Sequence, residues 1–266
     1  MVHLHDRSKA VIADCAIIHC RRGADVWVWR AVSVCDALAG CGDVEEDGRE
    51  QGGECEMSEY VWMCNPHMNL RNSRGFWPGL FTDEVPNKFF ASQGEIMTKM
   101  LAGQPFEAEE LPTKFFHYMK PKFKQSLPQV FHSTYVFVNE KAADIFRAHH
   151  LGGGGLYPIT LYENDKITEI PANICIVNYG NAKDTVILEK SKSIEPFAAV
   201  EGTYRTSLPE PEDDDIVVSA DSLEGPDIWV DPKMYGCFFV SDRFGRALIK
   251  AKVKAGLDMR RCIVAQ

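Results

Sequence analysis

The sequence predicts an α+β protein. Short strand-like runs separated by Asn-Asp, Pro and Gly-Asn turn signals point to an antiparallel sheet, and capped amphipathic helices lie toward the ends of that run instead of alternating with every strand. Helices packed at one face or at the ends of the sheet complete the expectation. A chain of 266 residues that is 45% hydrophobic has enough apolar material to close a core around such a sheet.

The elements follow in order along the chain. Tyr60–Met63 alternates as a strand, and Phe76-Trp77-Pro78-Gly79-Leu80-Phe81 is a loop pinned to the core by its aromatics. Lys88–Leu101 carries good helix formers on a broken stripe, whereas Leu111–Phe123 places Phe115, Phe116 and Met119 at helical spacing and is expected to be a core-facing helix. Thr134–Val138 is β-branched and aromatic, hence a strand, and Asn139 with Glu140 behind it starts a helix. That helix is expected to bury Ala142, Ala143, Ile145 and Phe146 and to end at Leu151-Gly152. Strands are expected at Tyr157–Tyr162, Asn173–Asn178 and Thr185–Glu189. A strand at Phe238–Val240, a cap at Ser241 and Asp242, and a helix with Ala247, Leu248, Ala251 and Val253 on its apolar side close the chain before Gly256. FVNEKAADIFRA and FVSDRFGRALIKA echo each other, either as an internal duplication or as one capping solution used twice.

Residues 1–56 read differently from residues 57–266. Cys15, Cys20, Cys35, Cys41 and Cys55 all fall in this first stretch, and after Ala37 it is dominated by Gly, Asp and Glu. It is expected to be a poorly packed or non-native extension, an upstream stretch translated from an early start. A zinc module built on Cys15, His19, Cys20, Cys35 and Cys41 is the alternative, against which the absence of two matched Cys-x2-4-Cys pairs counts. The remainder divides into an N-terminal part, 57–125, and a C-terminal part, 126–266.

A net charge of −9 argues against a general nucleic-acid binder, which needs clustered Lys and Arg facing phosphates. No membrane span is expected: the most apolar stretch, Ala10–Ile18, is short, contains Asp14 and lacks a small-x-small cleavage site, so Arg7 and Lys9 before it do not make a signal peptide. Nine irregularly spaced cysteines suit reduced thiols in a cytoplasm.

Motifs that resemble active-site chemistry have simpler explanations. The run Gly152–Gly155 closes a helix and opens a strand, the reverse of a phosphate loop, and is expected to be a flexible cap and linker. His149 and His150 suit the negative end of a helix; His117, His132 and the Cys64/His67 pair have no further ligands at useful offsets. Ser241-Asp242-Arg243 lacks a nucleophile elbow, and capping accounts for its Ser and Asp. The acidic run Glu210-Pro211-Glu212-Asp213-Asp214-Asp215 lacks the alternation of a calcium loop. It is expected to be an exposed linker, with Glu210, Glu212, Asp213, Asp214 and Asp215 as candidate contacts to a cationic partner. No catalytic residue, metal or cofactor is expected.

The segments LGGGGLYPI, NYGNAK, DDDIVVSADSLEGPDIWVDP and FFVSDRFGRALIKAKVKAGL together resemble bacterial polymorphic-toxin immunity proteins of immunity family eleven, formerly a domain of unknown function. Leu156, Tyr157, Pro158, Asn178, Gly180, Lys183, Pro226, Asp227, Trp229, Asp231, Pro232, Ser241 and Asp242 occupy the motif places, and Ile228 stands where Leu is commoner. The resemblance covers residues 126–266 well, 57–125 loosely and 1–56 not at all. It implies a cytoplasmic, non-enzymatic scaffold that binds and neutralises a cognate secreted toxin, either a polymorphic toxin or a type VI effector, encoded by a neighbouring gene. An enzyme that reverses a toxin's modification and an effector-loading adaptor are the alternatives. Trp77 and Trp229 are candidate anchors for a partner, with core burial the competing fate.

Overall fold

The computed structural model describes residues 60–78, 86–118, 123, 126–208 and 210–265, all within the unit Met57–Gln266. The expectations placed on residues 1–56, on Met119 and on the Gly79–Phe81 turn lie outside the described residues. Along the described chain run β1 (Val61–Cys64), β2 (Phe76–Pro78), α1 (Pro86–Leu101), β3 (Lys114–His117), β4 (Val130–His132), β5 (Val136–Asn139) and α2 (Glu140–Arg147). They are followed by β6 (Gly155–Tyr162), β7 (Glu169–Asn178), β8 (Ile194–Pro196), β9 (Tyr204–Thr206) and β10 (Ile216–Val218). The chain ends with β11 (Ile228–Trp229), β12 (Phe238–Ser241), α3 (Asp242–Lys250), α4 (Lys254–Leu257) and β13 (Met259–Val264).

The class is α+β. One sheet has the order β2-β3-β6-β7-β5-β4 and a second β10-β13-β1-β12-β11, with β8 and β9 forming a separate ribbon. Pairing is antiparallel throughout except at β3/β6 and β10/β13, which are parallel. β1 and β12 of the second sheet are buried on both faces, which is why they read as unbroken apolar runs, whereas β13 carries the partly exposed Arg260 and Arg261. On one side Trp62, Cys64, Ile228, Phe238 and Val240 join the first sheet, α2 and α3 in the main core. On the other, Val61, Met63, Trp229, Phe239 and Cys262 pack with Ile216 and Val218 in a smaller one. Alternation along β11 thus divides the Asp227–Pro232 segment as its pattern predicts, with Ile228 and Val230 on one face and Trp229 on the other.

Both predicted strand-cap-helix units form. The Asn139 side chain accepts from the Ala142 amide, that of Ser241 accepts from the Phe244 amide, and the two helices meet where Phe146 crosses Phe244 edge-on at 4.9 Å between centroids. α3 turns Phe244, Gly245 and Leu248 inward. Gly245 has no substitute there, because a Cβ would lie 2.2 Å from Cδ1 of Trp62.

Three expectations are corrected. The described part of Leu111–Phe123 is not a helix: Phe115 and His117 are buried with Phe116 half-exposed between them, and β3 pairs in parallel with β6. A distant partner decided that segment, since adjacent aromatics satisfy helical and strand spacing equally. Phe76–Pro78, read as loop, is the edge strand beside β3. Thr185–Glu189 supplies only a single bridge, Val186 to Val218, before a 3-10 turn at Leu188–Lys190. The carboxylate of Asp231 takes the amides of Thr185 and Val186 at 2.7 and 2.6 Å, replacing a strand ladder with side-chain acceptors.

Under β4, the rings of His67 and His132 meet edge-on at 5.0 Å. Burial, reinforced by His132, pulls His67 down to about 4, so it is neutral in the fold but protonates at its usual 6.5 when unfolded. The unfolded state therefore binds the extra proton between these values. The contribution is complete above pH 6.5 and is lost as pH falls toward 4, by about 2–3 kcal/mol in all. Urea unfolding from pH 7 to pH 4 is expected to show this loss, and His67→Gln is expected to flatten it.

Candidate functional site

The residues that carry the family resemblance are dispersed over more than eighty positions, yet most of them converge where the 178–183 turn meets β11 and the start of α3. Gly180 adopts a φ of +57° and lies so close to the glycine run that a Cβ would sit 2.1 Å from the carbonyl oxygen of Gly153. The run is accordingly a packed element and not a flexible linker: the Gly153 amide donates to Asn181 Oδ1 at 2.9 Å and the Gly154 amide to Leu151 at 2.9 Å. The Asn181 amide group in turn reaches the carbonyls of Leu151 at 2.7 Å and Ile228 at 2.9 Å, joining helix end, turn and β11.

Lys183 extends from the same turn. Its ammonium lies 3.8 Å from the centre of the Trp229 ring and donates to the carbonyls of Ser222 (3.3 Å), Glu224 and Pro226 (3.1 Å). Burial draws it down to about 8 against the pull of Asp227 and Glu224. Three carbonyls and a π face use all of its donors, so Lys183 is a brace for the loop before β11.

Asp227 is the most heavily bonded acid of the cluster. It accepts from Ser241 Oγ at 2.5 Å, from Arg243 Nε and Nη2 at 2.7 Å each and from the His150 amide at 2.8 Å. Burial works against its charge, but the donors Arg243, Ser241 and His150 prevail and hold its carboxyl below the usual range. Ser241 therefore has two tasks, capping α3 and bonding Asp227. Asp242 accepts from Trp62 Nε1 at 3.1 Å and from Arg246 Nε at 2.6 Å. Asp231 holds the 185–186 backbone and the Lys233 amide.

Elsewhere in the motif, Tyr157 donates to the Phe106 carbonyl at 2.6 Å, Asn178 is buried and reaches Gln104, Leu156 packs on the main core, and Pro158 is exposed on β6. Sequence reasoning did not select Asn181 or Arg243. Asn181 was readable as an amide following a left-handed glycine, whereas the Asp227–Arg243 pair joins two motif segments through space and leaves no local signal.

The acidic run is engaged by the chain's own cations. Glu210 pairs with Arg260 at 3.3 Å, Asp213 with Lys254 at 3.9 Å, and Asp214 receives Arg261 Nε at 2.8 Å, which lowers the Asp214 carboxyl. Asp215 accepts from the Glu212 amide and from Ser193 Oγ, both at 3.0 Å, so it shapes the turn; the Glu212 side chain is exposed. The run is thus a turn, exposed at Glu212 and Asp213, in which Glu210, Asp213 and Asp214 each meet a cation of the chain itself.

The isolated histidines are structural. His149 bonds the Ile145 carbonyl at 2.7 Å and stacks on Phe244, and His132 bonds the Asn69 carbonyl at 3.1 Å. His117 sits between Phe76 and Phe123. Among the described residues no three His, Cys, Asp or Glu groups are placed to hold a metal, and no helix is long and apolar enough to cross a membrane. Trp229 is fully buried, while Trp77 is 36% exposed and meets Tyr118 edge-on at 5.9 Å beside a 390 Å³ cavity. No protein-family model matches the chain, and no curated protein does.

Proposed function

We propose that the protein is an immunity protein that binds and neutralises a cognate secreted toxin in the cell that produces it. The observation that carries this reading is the convergence of the resemblance motif: Gly180, Lys183, Asp227, Trp229, Asp231 and Ser241 come from separate segments and are locked to one another or to each other's neighbouring backbone. A motif whose polar atoms are spent on internal bonds is a scaffold signature, and the activity of such a scaffold resides on its surface. The partner is a toxin encoded by the adjacent gene, and inhibition requires only a patch of about 800 Å² covering the toxin's active site or substrate groove.

Tyr118 and Trp77, amphipathic aromatics exposed at the β2 edge, are the residue types that anchor such patches. The acidic run has a smaller part in this reading than its charge suggests, since Arg260, Arg261 and Lys254 each already meet one of its acids. Co-expression of the tagged chain with the neighbouring toxin tests the reading: the toxin is expected to co-purify in equal amount. Recovery of the chain without toxin, from cells that nevertheless survive, would instead favour an enzyme that reverses the damage.

A further inference from the structure

We propose that the recess in front of α3 is a binding site for a small phosphate monoester, independent of the inhibitor reading. It encloses about 410 Å³ and is lined by Tyr60, Leu223, Pro226, Asp227, Arg243 and Arg246, among others. That volume lies within the range of about 300–1,000 Å³ typical of small-molecule sites.

Arg243 and Arg246 are three residues apart on α3 and so share a face. Each is held along one edge by a carboxylate: Asp227 takes Nε and Nη2 of Arg243, and Asp242 takes Nε of Arg246. The acids are themselves fixed, Asp227 by Ser241 and the His150 amide and Asp242 by the Trp62 indole, with only 3% and 14% of their side chains exposed. The guanidinium groups, by contrast, are 68% and 51% exposed. Nη1 of Arg243 and both Nη atoms of Arg246 have no protein partner among the described residues.

A guanidinium oriented in advance by a buried acid binds an anion without the ordering cost that a free arginine meets. A single planar carboxylate is satisfied by one such fork, whereas a tetrahedral dianion accepts from two at once, so the pair selects phosphate. The two acids and two arginines leave the recess without net charge, so the selection rests on the geometry of the free donors. Leu223, Pro226 and the Tyr60 ring supply an apolar wall for an organic substituent.

The test is calorimetric titration of the full chain at low ionic strength with inorganic phosphate, adenosine 5′-monophosphate and acetate. The monoester is expected to bind saturably, one per chain, and more tightly than phosphate; acetate is expected not to bind. Arg246→Gln is expected to weaken binding at least about tenfold. Arg246→Lys, which keeps the charge but loses the fork, is expected to weaken it as well. Both leave Asp242 held by Trp62, and an unchanged thermal midpoint confirms their folding. No saturation by the monoester up to about 10 mM, acetate binding as tightly as the monoester, or unchanged affinity in Arg246→Gln would overturn the proposal. Inorganic phosphate binding as tightly as the monoester would overturn the assignment to an organic ligand.

Discussion

Gly180→Ala is expected to lower stability by about 4 kcal/mol, combining left-handed backbone strain with overpacking. The two contributions have separate physical sources. A φ of +57° alone costs an alanine roughly 1 kcal/mol or somewhat more. The larger part arises because the new Cβ would be placed 2.1 Å from the carbonyl oxygen and 2.3 Å from the amide nitrogen of the glycine run, and backbone cannot rotate away as a flexible side chain can. Separating the two segments would also break the bond from the Gly153 amide to Asn181 and that from the Asn181 side chain to Leu151. Gly202→Ala provides the control: its φ is +75° but the space around it is open, so it is expected to show the strain without the clash and to cost about 1 kcal/mol. Urea unfolding of both variants with an unchanged slope gives the comparison. Equal losses would show that the approach of the two turns is not tight.

Trp229→Ala is expected to cost about 3–5 kcal/mol, the range for deleting a large buried ring. The ring is fully buried in the smaller core, stacks on Phe239 at 6.0 Å and faces the Lys183 ammonium. Its indole N–H has no partner among the described residues, so its contribution is one of packing and of support for the Lys183 brace. Truncation removes the surface on which that ammonium rests, and the loop from Ser222 to Pro226 that the ammonium holds is expected to loosen with it. Hydrogen exchange of the 219–225 amides, measured beside the unfolding curve, is expected to accelerate in this variant. A variant that retains its stability and loses only toxin binding would make Trp229 an interface anchor instead.

How far the sequence predicts this molecule depends on how local each signal is. Caps are local: Asn139 and Ser241 were readable because a single side chain and an amide three residues on decide them. The alternation at Ile228–Val230 was readable for the same reason, since a strand's period is two whatever it pairs with. Phe115–His117 was not, because two adjacent aromatics fit both periods and the parallel partner, β6, lies more than forty residues away. The cations that meet the acidic run leave no local signal, since Arg260 and Arg261 are distant in sequence and brought to it only through β13. The site follows the same rule. The motif residues were visible as a resemblance, but their mutual bonds, and the pairing of Asp227 with Arg243 above all, exist only once two segments are folded together.

As proposed, the protein acts stoichiometrically, by occupying its toxin. The most direct measurement is the residual activity of the neighbouring gene's toxin, purified and assayed on its own substrate, as the chain is added in rising molar ratio. A linear fall that reaches zero at one equivalent and does not change with longer incubation is expected. Protection by trace amounts that grows with time, or full toxin activity in the presence of excess chain, would contradict it.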